Sequence, residues 1–278
     1  MKSFLSACFV LLFSSITFAQ TNPQWIRYQT ISPDGSTIVF TYKGDLYSVA
    51  STGGDATQLT FHEAHDYMPV WSKDGKSIAF ASDRYGNFDI YMMSAQGGAA
   101  KRLTFHSNDE KPFTFSADGK NVIFGALRMD TKEHRQYPTG SQPELYSVPV
   151  NGGRVDQIFT VPAEFVQINK DGSQMVYHDK KGGENEWRKH HTSSITRDIW
   201  TYNTKSKAHK MITSFKGEDR QPIYSIDEKS LYYLSEESGS FNVHKLSLTN
   251  PSQNTQLTNF NLHPVRFLSM GNGTLSFG

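Results

Sequence analysis

"WSKDGKSIAF", residues 71–80, sets a tight turn between two apolar stretches. Asp-Gly supplies the positive-φ position at which a strand reverses. Beyond it Ile78 and Phe80 fall two residues apart, the period of a strand with one buried face. The string recurs as "SPDG" (32–35), "SADG" (116–119) and "NKDG" (169–172). Three residues past Gly35, Gly75, Gly119 and Gly172 stand Ile38, Ile78, Val122 and Met175, and five residues past stand Phe40, Phe80, Phe124 and Tyr177. An apolar residue precedes each string: Ile31, Trp71, Phe115 and Ile168. "SIDEKSLYY" (225–233) keeps the register with Leu231 and Tyr233, and "SMGNGTLSF" (269–277) with Leu275 and Phe277. Six copies of one hairpin therefore run along the chain, and their six aromatics are expected to be buried at equivalent places. Asn272 tolerates the turn's positive φ, whereas Glu228 there costs ~1 kcal/mol or marks a different turn.

A second hairpin follows each of the first copies. "GDLYSVASTGG" (44–54), "FDIYMMSAQGG" (88–98) and "PELYSVPVNGG" (143–153) share an acidic–aliphatic–aromatic start and a Gly-Gly turn. Short segments such as "TQLT" (57–60) and "KRLT" (101–104) complete a four-stranded unit that recurs at intervals of about 40 to 56 residues. Such a unit cannot bury both its faces alone and stacks against neighbours around a ring. The expected fold is all-β: a six-bladed β-propeller of four-stranded blades, with the sixth blade truncated at the C-terminus. The first blade opens directly at "QWIRYQTI" (24–31), so the ring closes by side packing and not by a shared sheet. The chain reads as a fragment of a longer protein, with an edge that is expected to lower its stability when it is expressed alone.

Residues 1–19 carry Lys2, an apolar stretch from Phe4 to Phe13, and small residues Thr17 and Ala19 before a cleavage point: a signal peptide, placing the propeller at 20–278 and the protein outside the cell or in the periplasm. Cleavage after Ala19 removes Cys8, the sole cysteine, and with it disulfide, thiol and cysteine-metal chemistry. Lys2 leaves too, so basic and acidic residues balance. A sequence pI of about 7.8 and scattered basic residues give no reason to expect nucleic acid or an anionic membrane as partner.

Two blades carry extra residues between their second and third strands: "ALRMDTKEHRQYPTGSQ" (126–142) and "DKKGGENEWRKHHTSSITR" (179–197). In an up-and-down blade these loops leave from the same face as the connections "FHEAHDYMP" (61–69) and "FHSNDEKP" (105–112). Insertions on one face often form the binding face, against the plainer reading of solvated decoration. Binding candidates there are Trp187 as an aromatic anchor, Arg188, His190, His191, and the pair His62 and His65. His62, His65 and Asp66 offer metal-type donors, but turn and solvation roles are commoner for such loops. Ser193 and Ser194 follow His191 without a placed base or oxyanion hole. No catalytic residue, metal or cofactor is assigned.

The unit "MPVWSKDGKSIAFASDRYGNFDIYMMSAQGGAAKRLT" (68–104) resembles TolB-type propeller repeats. "ENEWRKHHTSSITRDIW" (184–200) together with "FKGEDRQPIYSIDEKSLYYLSEESGSFNVHKL" (215–246) resembles the first propeller of secreted tricorn-like serine peptidases. That resemblance implies further domains in the parent chain (a second propeller, a PDZ domain and a peptidase domain), a peptide substrate for the parent, and a scaffold and passage role for this propeller; a homo-oligomer is compatible with it. Nothing in the chain matches the catalytic region. Two other readings stay open: a periplasmic TolB-like protein-binding propeller without enzymatic activity, and a carbohydrate-active propeller using histidines in the ring.

Overall fold

The turn string holds itself together. In "SKDG" the Ser72 hydroxyl donates to Asp74 Oδ1 at 2.6 Å, and the same carboxylate accepts the Lys76 amide at 3.1 Å. The Ser72 oxygen in turn accepts the Ser77 amide at 2.9 Å. Ser116 and Asp118, and Ser225 and Asp227, repeat this box. Each Asp is held below its ordinary range, first by its serine and then by the amide. Gly35, Gly75, Gly119 and Gly172 sit at φ between 69° and 78°. Glu228 (φ 56°) and Asn272 (φ 46°) adopt the same left-handed conformation. Glu228 therefore takes the strained option, and its carboxylate accepts the Lys170 amide of the preceding blade at 2.7 Å.

The computed structural model describes residues 25–128, 141–183, 185, 187–188 and 190–278; residues 1–19 and most of the first insertion lie outside them. Blade one is β1 (Arg27–Ile31), β2 (Thr37–Tyr42), β3 (Asp45–Ala50) and β4 (Thr57–Gln58). Blade two is β5 (Asp66–Trp71), β6 (Ser77–Ser82), β7 (Asp89–Ser94) and β8 (Lys101–Arg102). Blade three is β9 (Glu110–Phe115), β10 (Asn121–Ala126), β11 (Glu144–Pro149) and β12 (Asp156–Phe159). Blade four is β13 (Ala163–Ile168), β14 (Gln174–Asp179), β15 (Ile199–Asn203) and β16 (His209–Met211). Blade five is β17 (Asp219–Tyr224), β18 (Ser230–Ser235), β19 (Asn242–Ser247) and β20 (Asn254–Gln256). The sixth repeat forms only the hairpin β21 (Ser269–Gly271) and β22 (Thr274–Ser276). Every sheet is an antiparallel meander in chain order.

Among the described residues five blades are complete and the sixth copy is a two-stranded sheet, the pattern expected for a truncated sixth blade. Phe40, Phe80, Phe124, Tyr177 and Tyr233 are buried as expected, while Phe277 is 36% exposed. Phe277 lies just past β22, and its sheet supplies no third strand to cover it. The core is built between blades: Phe80 and Tyr91 pack with Val39 and Leu46 of blade one, and Phe124 and Tyr146 with Ile90 and Leu103 of blade two.

The innermost strands carry a feature with no sequence signature. In β1, β5, β13 and β17 the register slips by one residue, two residues standing opposite the repeat aromatic of the next strand. The bulge residues Tyr28, Met68, Phe165 and Gln221 have φ of 51° to 53°, and Phe267 of the sixth repeat has φ 54°. Pro69 and Pro222 fall in these bulges, and Pro112 beside the slip in β9, where the missing N–H costs no ladder bond. A bulge bends its strand and re-aims a side chain; here Tyr28, Met68, Phe113, Phe165 and Phe267 are turned to the axis.

The first and last sheets meet without sharing a strand. The Gln29 amide donates to the Arg266 and Phe267 carbonyls at 3.2 and 3.0 Å, and the Ile31 amide to Ser269 Oγ at 3.2 Å. A Cβ on Gly271 would stand 1.9 Å from the Ser32 carbonyl oxygen, so only glycine permits this approach.

Candidate functional site

Two regions sit on the axis. The larger is a cavity of about 620 Å³ bounded by the innermost strands. At one end Tyr28, Met68, Phe113, Phe165 and Phe267 form an apolar collar, with Tyr28 and Phe267 rings 4.6 Å apart and Phe113 and Phe165 6.0 Å apart. At the other end the turn strings contribute Pro33, Lys73, Ala117, Lys170, Glu228 and Asn272, a polar mouth. Phe165 and Phe267 also border a second, small space on the far side of the collar, roofed by Trp187 and walled by Arg197, Arg220 and Arg266.

Trp187 belongs to the second insertion and is 43% exposed. Its ring lies between two guanidiniums, Arg27 of blade one at 4.4 Å and Arg266 before the sixth sheet at 4.5 Å. The insertion of blade four thus reaches over the axis to the seam where the ring closes. Its near end approaches the first insertion, since a Cβ on Gly183 would lie 3.6 Å from Ser141. Its far end is tied to blade five. The His190 amide donates to Glu236 Oε2 at 2.9 Å, and His191, buried, places Nδ1 3.2 Å from Glu218 Oε1.

Glu218 is the hub of this end. Fully buried, it pairs with Arg220 Nε at 2.8 Å and Arg197 Nη1 at 3.2 Å. Burial opposes its ionisation, but the Arg220 bond, the two guanidinium charges and the His191 bond bring it down to about 2. Next to it Glu164 meets Lys180 at 3.2 Å and His178 at 3.5 Å. Burial would raise the Glu164 carboxyl; His178 and Lys180 outweigh it and hold it well below the usual range. His178 is itself depressed to about 4 by burial, against the pull of Glu164. It is neutral at pH 7, and its Nδ1 accepts the Gln221 amide at 3.0 Å at the bulge.

The sequence candidates divide accordingly. Trp187, His190 and His191 come together on one strap, and Arg188, exposed, turns back through its amide to Asn185 at 3.0 Å. His191 Nε2 lies 2.8 Å from Ser193 Oγ, but that oxygen also takes the Ile195 amide at 3.2 Å in a local turn. Ser193 and His191 are therefore placed as strap anchors. His62 and His65 stand elsewhere, in the connection from blade one to blade two. His62 Nδ1 accepts the Ala64 amide, the His65 ring lies 5.5 Å from that of Tyr67, and Asp66 is held by Arg84 at 2.8 Å. Among the described residues no group of three or more His, Cys, Asp or Glu is arranged to hold a metal ion. Arg197, Glu218, Arg220, Glu164 and His178 escaped the sequence reading. Each is an ordinary polar residue within a strand or just before one, and only the closure of blade four on blade five buries them together.

Radial antiparallel sheets around a lined axis, with an insertion strapped across one end, define a β-propeller domain. The chain belongs to the family of tricorn protease N-terminal beta propeller domains, whose pattern matches residues 23–278. In fold it is similar to the crystal structure of the tricorn protease (TM-score 0.74, 20% identity, 92% of this chain and 24% of that one). It is also similar to a putative TolB from Agrobacterium tumefaciens (TM-score 0.67, 16% identity, 84% and 80%). A stretch of 72 residues is 35% identical to dipeptidyl-peptidase 5 of Porphyromonas gingivalis, covering 22% of this chain and 10% of that protein. The chain thus spans a small part of the peptidases that it matches.

Proposed function

We propose that the chain is the first, six-bladed propeller of a secreted tricorn-like serine peptidase that degrades peptides. It serves as scaffold and passage, and the parent's second propeller, PDZ domain and peptidase domain supply the chemistry. The family match along residues 23–278 carries this reading, and the stretch shared with a dipeptidyl-peptidase favours it over a TolB-like binding role. In the same reading the leader at 1–19 directs the parent out of the cytoplasm, and the strap around Trp187 and Arg188 is a docking face.

The test uses the chain with and without its downstream sequence. The longer protein is expected to hydrolyse short peptides and to lose that activity to a serine-directed reagent; residues 20–278 alone are expected to hydrolyse none. Hydrolysis by the short form overturns the domain assignment. A longer protein without serine-type hydrolysis that captures an envelope protein supports the TolB-like role instead.

A further inference from the structure

Blades two and three share a buried clamp that blade five alters. In blade two, Asp66 opens the innermost strand opposite Ser82, and Arg84, two residues past Ser82, grips it at 2.8 Å. In blade three, Glu110 stands opposite Ala126, and Arg128 grips it through Nε at 2.8 Å. Both guanidiniums also lie over a cross-strand aromatic pair: Arg84 over Phe80 and Tyr91 at 5.7 and 5.1 Å, Arg128 over Phe124 and Tyr146 at 5.7 and 5.9 Å.

Blade five keeps the acid and the ring pair. Asp219 opens β17 opposite Ser235, and Tyr233 and His244 pair at 5.6 Å where Phe80 and Tyr91 pair in blade two. The arginine position, two residues past Ser235, is Glu237, and it is exposed. Asp219 is 1% exposed, and its Oδ1 has no hydrogen-bond partner among the described residues. Burial, with Asp198 and Glu237 nearby, pushes its carboxyl up to about 7, against the Ser235 and Thr213 hydroxyls. Glu236 adds a further acid beside Glu237.

We propose that the Asp219–Glu237 position of blade five is a seat for a guanidinium group carried by a ligand from outside the chain. The same fold position shows twice what it is shaped to hold: a planar cation that meets a buried carboxylate and lies against two rings. Glu237, at the solvent edge, converts a self-sealed clamp into one that attracts the cation from solution. A guanidinium is favoured over a metal ion because no group of donors among the described residues has metal-binding arrangement. The seat lies at the same end of the blades as the strap, since Glu236 accepts the His190 amide.

The test is thermal unfolding at fixed ionic strength with Nα-acetyl-arginine amide, using the neutral isostere Nα-acetyl-citrulline amide as control. Wild type should show a saturable rise in Tm with the arginine compound alone. Asp219→Asn should lose at least ~10-fold in apparent affinity, the scale of one charge-assisted hydrogen bond. Glu237→Arg should melt higher than wild type without ligand and no longer respond, because the clamp of blades two and three is restored. The proposal is overturned by an equal response to citrulline, by no response in wild type, or by a response that survives in Glu237→Arg.

Discussion

Gly119 sits at φ 70° with nothing within 4 Å of where a Cβ would stand, so Gly119→Ala reads backbone strain alone. The expected loss is ~1 kcal/mol by urea unfolding. Gly271→Ala should cost several times more, because its Cβ would collide with the Ser32 carbonyl rather than meet open space. His178 gives a pH signature at the same scale. Its folded value near 4 lies below the ordinary 6.5, so the unfolded chain binds the proton more readily. The His178 contribution to stability is therefore expected to fall as pH drops from about 6.5 to about 4, by ~1–3 kcal/mol, while Asp219, raised to about 7, contributes the opposite slope over the same range. His178→Asn should remove the His178 part of the pH dependence even where it lowers stability overall; an unchanged pH dependence assigns the titration to another group. The turn residues were fully legible, since Ser, Asp and Gly each act through neighbours a few positions away. The bulge residues were not, because positive φ at Tyr28 or Phe165 is imposed by the ring and leaves no residue-type signal.

Among elements, the strap depends on Glu218. Removing it leaves Arg197 and Arg220 buried beside each other without their shared carboxylate, so Glu218→Ala is expected to cost ~3–5 kcal/mol in chemical unfolding. Trp187→Ala should cost only ~1–2 kcal/mol, since each stack on a partly exposed guanidinium is weak. Its clearer effect should be faster proteolytic cleavage within 179–197, and an unchanged cleavage rate would mean that His190 and His191 hold the strap unaided. The insertion was visible in the sequence as excess length, but its destination was not: Arg27 and Arg266 are distant in the chain and become neighbours only around the ring. The acid–arginine clamp, by contrast, was open to view, because Asp66, Glu110 and Asp219 keep one register and Arg84, Arg128 and Glu237 another.

At the scale of the whole molecule, closure rests on side chains. Gln29 is 8% exposed and spans the seam with two bonds to backbone carbonyls, so Gln29→Ala is expected to lower stability by ~1–2 kcal/mol in thermal unfolding. A loss below that range would shift the weight of closure onto Gly271 and Ser269. The repeat predicted the ring and its truncated sixth blade, and five sheets of four strands and one of two are found among the described residues.

The indole of Trp187, held between a cation from the first blade and a cation beside the last sheet, also makes the closed ring optically readable. The two guanidiniums come from opposite sides of the seam, so any parting of the ring removes at least one of them from the indole. With Trp25, Trp71 and Trp200 changed to Phe, the remaining emission would register opening of the propeller separately from melting of its blades.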